Sequence, residues 1–303
     1  MKMVVTGGAG FIGSNLVDKL IERGDEVSVI DNFSTGKKKN CNKKAHYYNI
    51  DLSNSNNLEN LKDILNNVDT IFHCAALARV QKSIKSPIKY EINNTIGLVN
   101  LLKCAVDKNV RRFVYSSSSS SYGSTKNLPS KESHKINPIS PYAAQKYYGE
   151  VCCKMFSSVY DIETVSLRYF NVFGERQNLG GAYATVIGIF LNQRMKNLPL
   201  TINGSGKQRR DFTYVGDVVN ANILASISNA VGRGEVINVG RGKNLSVNDV
   251  AKLIGGDKVY RPPLNEPFEN LADLVKAKKL LNWSPKVDLK DWIIQFKREH
   301  KIN

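Results

Sequence analysis

Tyr142 and Lys146 are the pair in this sequence whose types and spacing suit proton chemistry. They stand four residues apart in Pro141-Tyr142-Ala143-Ala144-Gln145-Lys146, so a helix through them presents both on one face. A phenol titrates near about 10 and is a poor base at neutral pH. A neighbouring ammonium, with any further positive charge beside it, stabilises the phenolate and brings it into a useful range. Taken alone, Tyr-x-x-x-Lys is also an ordinary surface pair. It gains weight from what precedes it: six serines, Ser116 to Ser121, then Tyr122-Gly123, and a glycine-rich turn near the start of the chain. A hydroxyl from the serine run can hold a substrate hydroxyl beside the phenol.

The glycine turn runs Gly7-Gly8-Ala9-Gly10-Phe11-Ile12-Gly13. An apolar run, Lys2 to Thr6, leads into it, and a helical pattern to Arg23 leads out. A second apolar run then closes on Val27-Ser28-Val29-Ile30-Asp31. That order is a β-α-β unit with a phosphate-binding turn. Gly7 permits the tight turn, and Gly10 lets the backbone approach a pyrophosphate. Gly13 lets the helix lie close on the strand, and the helix N-terminus offers its unpaired N–H groups to phosphates. Asp31, 18 residues beyond Gly13, stands where a carboxylate accepts the hydrogen bonds of a ribose diol and repels a 2′-phosphate, which favours NAD over NADP.

Other elements must hold these groups in place. His46 to Ile50 reads as a third strand ending at Asp51-Leu52, where Asp51 serves either an adenine amino group or the N-cap of a helix over Leu58 to Leu65. Val68 to Ala76 reads as a buried strand whose small end, Ala75-Ala76, lets a cofactor lie across it; its His73 is structural rather than catalytic. Pro87 opens a long helix in which Asn93 and Asn94 suggest a polar contact. Arg112 to Tyr115 is the strand that delivers the serines to the carboxyl edge of a sheet, where open α/β folds bind ligands. Beyond Asn171, short strands (Thr201-Ile202, Phe212 to Val215, Val236 to Val239) alternate with helices, and Trp283 and Trp292 read as packing residues.

A chain of 303 residues with 42% hydrophobic and 23% charged residues has the length and composition for a real core. No apolar run is long enough to span a membrane, and Met1-Lys2-Met3-Val4-Val5 enters the first strand directly, with no signal peptide. Five cysteines, without a C-x-x-C pair, argue against disulfide and zinc frameworks, so no metal is expected and a reducing cytoplasm suits the chain. The net charge of +16 invites a nucleic-acid reading, but the lysines are scattered among asparagines and no nucleic-acid motif appears. The excess charge instead suits an anionic small substrate.

The motifs, in order, resemble the NAD-dependent epimerase/dehydratase family of extended short-chain dehydrogenase/reductases, and within it the UDP-hexose 4-epimerases. The landmarks are Thr6 to Gly13, Asp31-Asn32, His73-Cys74-Ala75-Ala76, Ser116 to Gly123, Tyr142-x-x-x-Lys146, Leu167 to Gly174 with Tyr169 and Asn171, and Arg210-Asp211-Phe212. The resemblance implies a Rossmann-type doubly wound parallel sheet over 1–170 and a smaller C-terminal α/β nucleotide-sugar lobe over 171–303, with some interchange of chain. It implies NAD held along Gly7, Gly10, Phe11, Ile12, Gly13, Asp31, Asn32, Asp51, Leu52, Ala75, Ala76, Asn93, Ser116, Tyr142, Lys146 and Tyr169. Matching Ser-Ser-Ser-x-x-x-Tyr-Gly places the catalytic serine at Ser118, with Tyr142 and Lys146 completing the set. Asn171 and Arg210 are similar to the family's phosphate-holding residues, and Gly181-Ala182-Tyr183-Ala184-Thr185-Val186 to its uridine loop. A homodimer through the 87–107 and 142–160 helices is implied as well.

The implied reaction moves the proton of a sugar 4-hydroxyl to Tyr142 and a hydride from C4 to NAD. The 4-keto sugar then turns about its link to UDP and takes the hydride back on its other face. Two departures stand out. A second phosphate arginine of relatives falls at Pro263 here, with Arg261 two residues away. The gatekeeper beside the sugar 2-substituent falls at Asn270, smaller than the tyrosine associated with non-acetylated hexoses. The expected substrate is therefore UDP-N-acetylglucosamine/galactosamine ahead of UDP-glucose/galactose, with another nucleotide-sugar epimerase (UDP-glucuronate 4-epimerase, for example) as the alternative. Dehydratases of the family carry Asp-Glu where this chain has Ser119-Ser120, and decarboxylases a glutamate at Ser120, so neither elimination nor decarboxylation has its acid. A non-catalytic NAD-binding role fits less well, because Tyr142 and Lys146 are both present.

Overall fold

The computed structural model describes residues 1–125, 127–181, 184–264 and 266–302. In chain order, its strands are β1 (Lys2–Thr6), β2 (Glu26–Ile30), β3 (His46–Tyr48), β4 (Thr70–His73), β5 (Arg112–Ser118), β6 (Glu163–Tyr169), β7 (Val172–Phe173), β8 (Leu200–Asn203), β9 (Arg209–Asp211), β10 (Thr213–Tyr214), β11 (Arg233–Val239), β12 (Asn244–Ser246) and β13 (Lys258–Arg261). The helices are α1 (Phe11–Glu22), α2 (Leu58–Ile64), α3 (Val80–Lys85), α4 (Pro87–Glu91), α5 (Gly97–Asp107), α6 (Pro141–Tyr160), α7 (Val186–Met195), α8 (Val215–Ile227), α9 (Val247–Ile254), α10 (Val275–Leu281) and α11 (Leu289–Glu299).

Seven strands form one all-parallel sheet in the order β11-β6-β5-β4-β1-β2-β3. Successive side chains of a strand point to opposite faces, so Met3 and Val5 of β1 enter one core while Val4 enters the other. The first core packs Leu16 and Leu20 of α1 and Val218 of α8 against the sheet; the second packs Leu98 and Leu101 of α5 with Cys153 and Phe156 of α6. Each such buried aliphatic or aromatic side chain contributes about 1.5–3 kcal/mol relative to exposure. The sheet is Rossmann-type and doubly wound.

The smaller lobe has its own core, with Phe173, Phe190, Ile202, Val250 and Trp292 at its centre. Two-stranded pairs β8-β13 and β9-β12 run through it. The division at residue 170 is crossed by the chain: α8 and β11 come after it yet complete the large sheet and its first core. Trp283 joins that core and Trp292 the smaller one, both as packing residues.

Several boundaries differ from the sequence expectation. The first three serines of the run belong to β5, and residues 119–122 tighten into a 3-10 turn. The third and fourth strands are shorter than expected; Cys74 to Ala78 leave the sheet once β4 loses its neighbours. The long helix after Pro87 is broken by a π turn at Ile92–Ile96, which carries Asn93 and Asn94. Such single-turn bulges recur at functional sites. The segment expected as a strand over Phe212 to Val215 is a strand only at Thr213–Tyr214, because Val215 already begins α8.

Candidate active site

A cavity of about 750 Å³ crosses the carboxyl edge of the large sheet from Asp31 and Asp51 to Arg210 and Asn270. Its first end is built mainly from backbone. Gly7 adopts φ 69°, and a Cβ there would lie 2.7 Å from the Ala75 nitrogen. A Cβ on Gly13 would stand 2.3 Å from the Gly7 carbonyl oxygen, so only glycine lets α1 approach this closely. Gly10 N donates to Gly7 O at 3.0 Å and closes the turn. Asp31 Oδ2 accepts from Ala9 N at 3.0 Å and Oδ1 from Phe33 N at 2.8 Å, so the carboxylate clamps the turn as well as lining the cavity. Phe11, Ile12, Asn32, Leu52, Ala75, Ala76 and Asn93 line the same end.

Asp51 also lines it, but it is no helix cap: its Oδ1 accepts from Ser53 N and Oγ at 2.9 and 2.7 Å, while Asn54 and Asn57 begin the helical turns that follow. Burial raises its pKa, yet the bonds from Ser53 and Asn32 outweigh that and hold the carboxyl below its usual range.

The expected catalytic residues converge where β5 meets the start of α6. Ser140 caps α6 by accepting from Ala143 N at 3.2 Å, and Pro141 occupies its first turn. That cap places Tyr142 and Lys146 on the face turned to the serines. Ser118 Oγ accepts from Ser120 N at 3.2 Å and from Ser120 Oγ at 2.9 Å, which leaves its own proton for Tyr142. Burial raises the Tyr142 pKa; the Ser118 hydrogen bond and the charge of Arg79 pull it down.

Lys146 Nζ donates to the Ser116 carbonyl at 2.7 Å, and burial lowers its pKa to about 8. Arg79, which the sequence reading did not single out, lines the same cavity, and its charge is one of the influences that lower the Tyr142 pKa. Ser116 Oγ meets Tyr169 Oη at 3.1 Å, and Tyr169 Oη donates to Asn222 Oδ1 at 2.9 Å. His73 Nδ1 lies 2.8 Å from Thr6 Oγ1, and burial lowers its pKa to about 3, so it stays neutral.

At the far end, Arg210 donates to the Arg209 and Phe268 carbonyls and pairs with Glu266 at 2.8 Å. Asn171 Nδ2 donates to Asp211 O and to Asn270 Oδ1, and Asn270 Oδ1 also accepts from Asp211 N at 2.8 Å. Asn171, Val186, Arg210 and Asn270 all line the cavity, whereas Arg261 is exposed on β13 and neither it nor Pro263 reaches the lining. Ala182 and Tyr183 lie outside the described residues.

Residues outside the expected catalytic and binding set support this centre. Ser83 of α3 accepts from Tyr142 N at 3.1 Å. Asn94 of the π turn bonds both the N–H and the carbonyl of Leu77 and donates to Gln145 of α6. Glu150, one turn past Lys146, holds Arg168 of β6 through two bonds at 2.7 and 2.6 Å and accepts from Ser117. Asn94 was legible as a polar residue inside an apolar helix, and Glu150 by continuing the Tyr142–Lys146 spacing along one helix face; Ser83 left no such signal.

Residues 3–240 match the NAD dependent epimerase/dehydratase family. The chain belongs to that family. It is 40% identical, over 96% of its length and 95% of the relative's, to a Methanocaldococcus jannaschii protein whose name gives UDP-glucose 4-epimerase as a provisional activity. The UDP-glucose 4-epimerase of Thermotoga maritima, solved with UDP-glucose, superposes with a TM-score of 0.92 at 37% identity and 99% coverage of both chains. The UDP-N-acetylglucosamine 4-epimerase of Methanobrevibacter ruminantium M1, solved with UDP-N-acetylmuramic acid, gives 0.91 at 36% identity and 98% coverage of both. The family's cofactor is NAD, and the glycine turn with no room for a Cβ, the clamped Asp31 and the small Ala75-Ala76 edge fit a dinucleotide.

Proposed function

We propose that this member of the UDP-sugar 4-epimerase family inverts C4 of a UDP-N-acetylhexosamine, with UDP-glucose and UDP-galactose as further substrates. The observation that carries the reading is the convergence of Ser118, Tyr142 and Lys146 on the wall of the cavity that begins at the glycine turn. Tyr142 takes the proton of the sugar 4-hydroxyl and later returns it. Ser118 donates to the phenol oxygen and steadies the anion that forms. Gly7, Gly10, Gly13 and Asp31 would hold NAD, which would supply the hydride acceptor and donor that this exchange needs. Lys146, fixed on Ser116 O, keeps a cation near the reacting edge of the sheet. Arg210 and Asn171 would hold the phosphates of the nucleotide, where a guanidinium fork suits phosphate oxygens.

Support for the N-acetyl preference comes from Asn270, whose amide is drawn onto Asn171 and Asp211 and so leaves the lining without a bulky ring at that point. Apolar side chains of α4 and the π turn after it, Ile88 and Ile92, and of α6, Tyr148, Val151, Met155 and Val159, are exposed. We propose a second copy of the chain as their partner, and sedimentation at micromolar concentration would return a monomer if that is wrong.

The decisive experiment incubates purified protein with UDP-N-acetylglucosamine and UDP-glucose in parallel and reads the 4-epimers by NMR. Accumulation of the 4-epimer, with Tyr142→Phe inactive, establishes the reaction and ranks the sugars. No epimer from either sugar, even with NAD supplied, sinks the reading.

A further inference from the structure

Arg210 and Phe212 line the cavity, while Asp211 between them stands behind its wall, fully buried. Its carboxylate accepts three main-chain N–H bonds: Oδ1 from Arg241 at 2.6 Å, and Oδ2 from Gly242 and Ala272, each at 3.0 Å. Burial pushes its pKa up to about 6; the N–H bonds and the charge of Arg241 pull against that, so at neutral pH the anion is the acceptor. The surroundings are close-packed. A Cβ on Gly240 would lie 3.1 Å from Asp211 Oδ2 and 2.4 Å from the Ala272 side chain.

These bonds join three parts of the molecule. Arg241 and Gly242 follow β11 at the carboxyl edge of the large sheet. Asn171 follows β6, the neighbour of β11, and its Nδ2 donates to the Asp211 carbonyl at 2.8 Å. Residues 268–272 run alongside β9: Arg209 N donates to Phe268 O at 2.8 Å, and Asn270 N to Arg209 O at 3.2 Å. The next rung, to Ala272 N, is made by the Asp211 side chain, while Asp211 N donates to Asn270 Oδ1 at 2.8 Å. One residue thus ties the ends of β6 and β11 to the two asparagines of the cavity wall.

We propose that Asp211 is a positioning residue for the nucleotide sugar, holding Asn171 and Asn270 against the carboxyl edge of the large sheet. This rests on the reading of the far end of the cavity as the UDP-sugar site. Asp211 acts through the asparagines and not by contact with the ligand. An asparagine in its place keeps one acceptor oxygen and turns an NH₂ group towards N–H donors. Either the turn after β11 or Ala272 then loses its partner, and the wall loosens around the nucleotide. Substrate and transition state share that wall, so the loss falls on KM and not on kcat.

The test measures holoenzyme turnover of UDP-N-acetylglucosamine and UDP-glucose, and calorimetric binding of UDP, in wild type, Asp211→Asn, Gly240→Ala and Asp217→Asn. Asp217 is the control: it is also buried and accepts main-chain bonds, from Lys286 N at 3.0 Å and Val287 N at 3.1 Å, but it belongs to α8. In Asp211→Asn, KM and the Kd for UDP should rise about tenfold, with kcat within about threefold of wild type. Gly240→Ala presses on the same clasp without altering its charge and should raise both about threefold. Asp217→Asn should lower the melting temperature and leave KM and Kd unchanged. Unchanged KM and Kd in Asp211→Asn, or a rise no larger than in Asp217→Asn, would overturn the proposal, as would a loss confined to kcat. Should Asp211→Asn not fold, Gly240→Ala decides by the same readings. A wild type that neither binds UDP nor epimerises either sugar sinks the function reading and the proposal with it; normal wild-type behaviour with indifferent variants sinks the proposal alone.

Discussion

The two ends of the cavity are built in different ways. The dinucleotide end is made of backbone: glycines without room for a Cβ, a turn closed by its own N–H groups, and a carboxylate that clamps the turn. The far end, proposed here for the sugar nucleotide, is made of side chains brought from distant elements: Asn171 bonds Asn270 and Arg210 bonds Glu266, across 99 and 56 residues of sequence, with the Asp211 backbone between them. The first end tolerates little change, because its geometry is the main chain itself. The second can be retuned one side chain at a time, which is how one scaffold comes to serve different sugars.

Between them lies the shared centre, and breaking it should have the largest effect. Tyr142→Phe removes the proton acceptor and should lower kcat by about 10²–10⁴-fold while leaving bound NAD in place, as cofactor absorbance after denaturation would show. Gly13→Val drives a side chain into the Gly7 carbonyl and should weaken cofactor binding by about 100-fold, measured by titrating NAD into stripped protein. Retention of normal NAD affinity in that variant would break the contrast between the two ends. At the sugar end, Arg210→Ala should raise KM about 30-fold and alter kcat far less.

Asn270→Tyr should be milder still: a fall of about tenfold in the preference for the N-acetylated over the plain hexose, with the cofactor unaffected. The smallest expected signal is in stability. Burial depresses Lys146 to about 8, so between there and its ordinary value of 10.5 the unfolded chain binds more protons than the folded one. Stability from this group should therefore rise with pH across that window, and Lys146→Met should flatten the slope in denaturant titrations.

The same contrast explains what could be read in the sequence. Gly7, Gly10, Gly13 and Asp31 were legible because a phosphate turn sets its spacing locally, within one β-α-β unit. Tyr142 and Lys146 were legible as a helix-face pair, but the bond of Lys146 to the Ser116 carbonyl was not, since it depends on how α6 docks on β5. Arg79 left no signal, because it reaches the cavity through the packing of α3 on α6, where Ser83 accepts from Tyr142 N, 59 residues away in sequence. The seventh strand was expected in the small lobe; its place beside β6 is a matter of long-range pairing that alternation alone does not encode.

That seventh strand has a consequence for how the protein is made. Arg112 on β5 is fully buried, and its guanidinium donates to the carbonyls of Ala225, Ser228 and Val231. A nascent chain that has left the ribosome only as far as residue 170 therefore has β6 as an open sheet edge and Arg112 without those acceptors. Synthesis must continue past Val239 before the first half can close, so the segment that carries α8 and β11 acts as the timing element of biogenesis. Truncations or slow codons ahead of it would leave an aggregation-prone edge waiting in the cell.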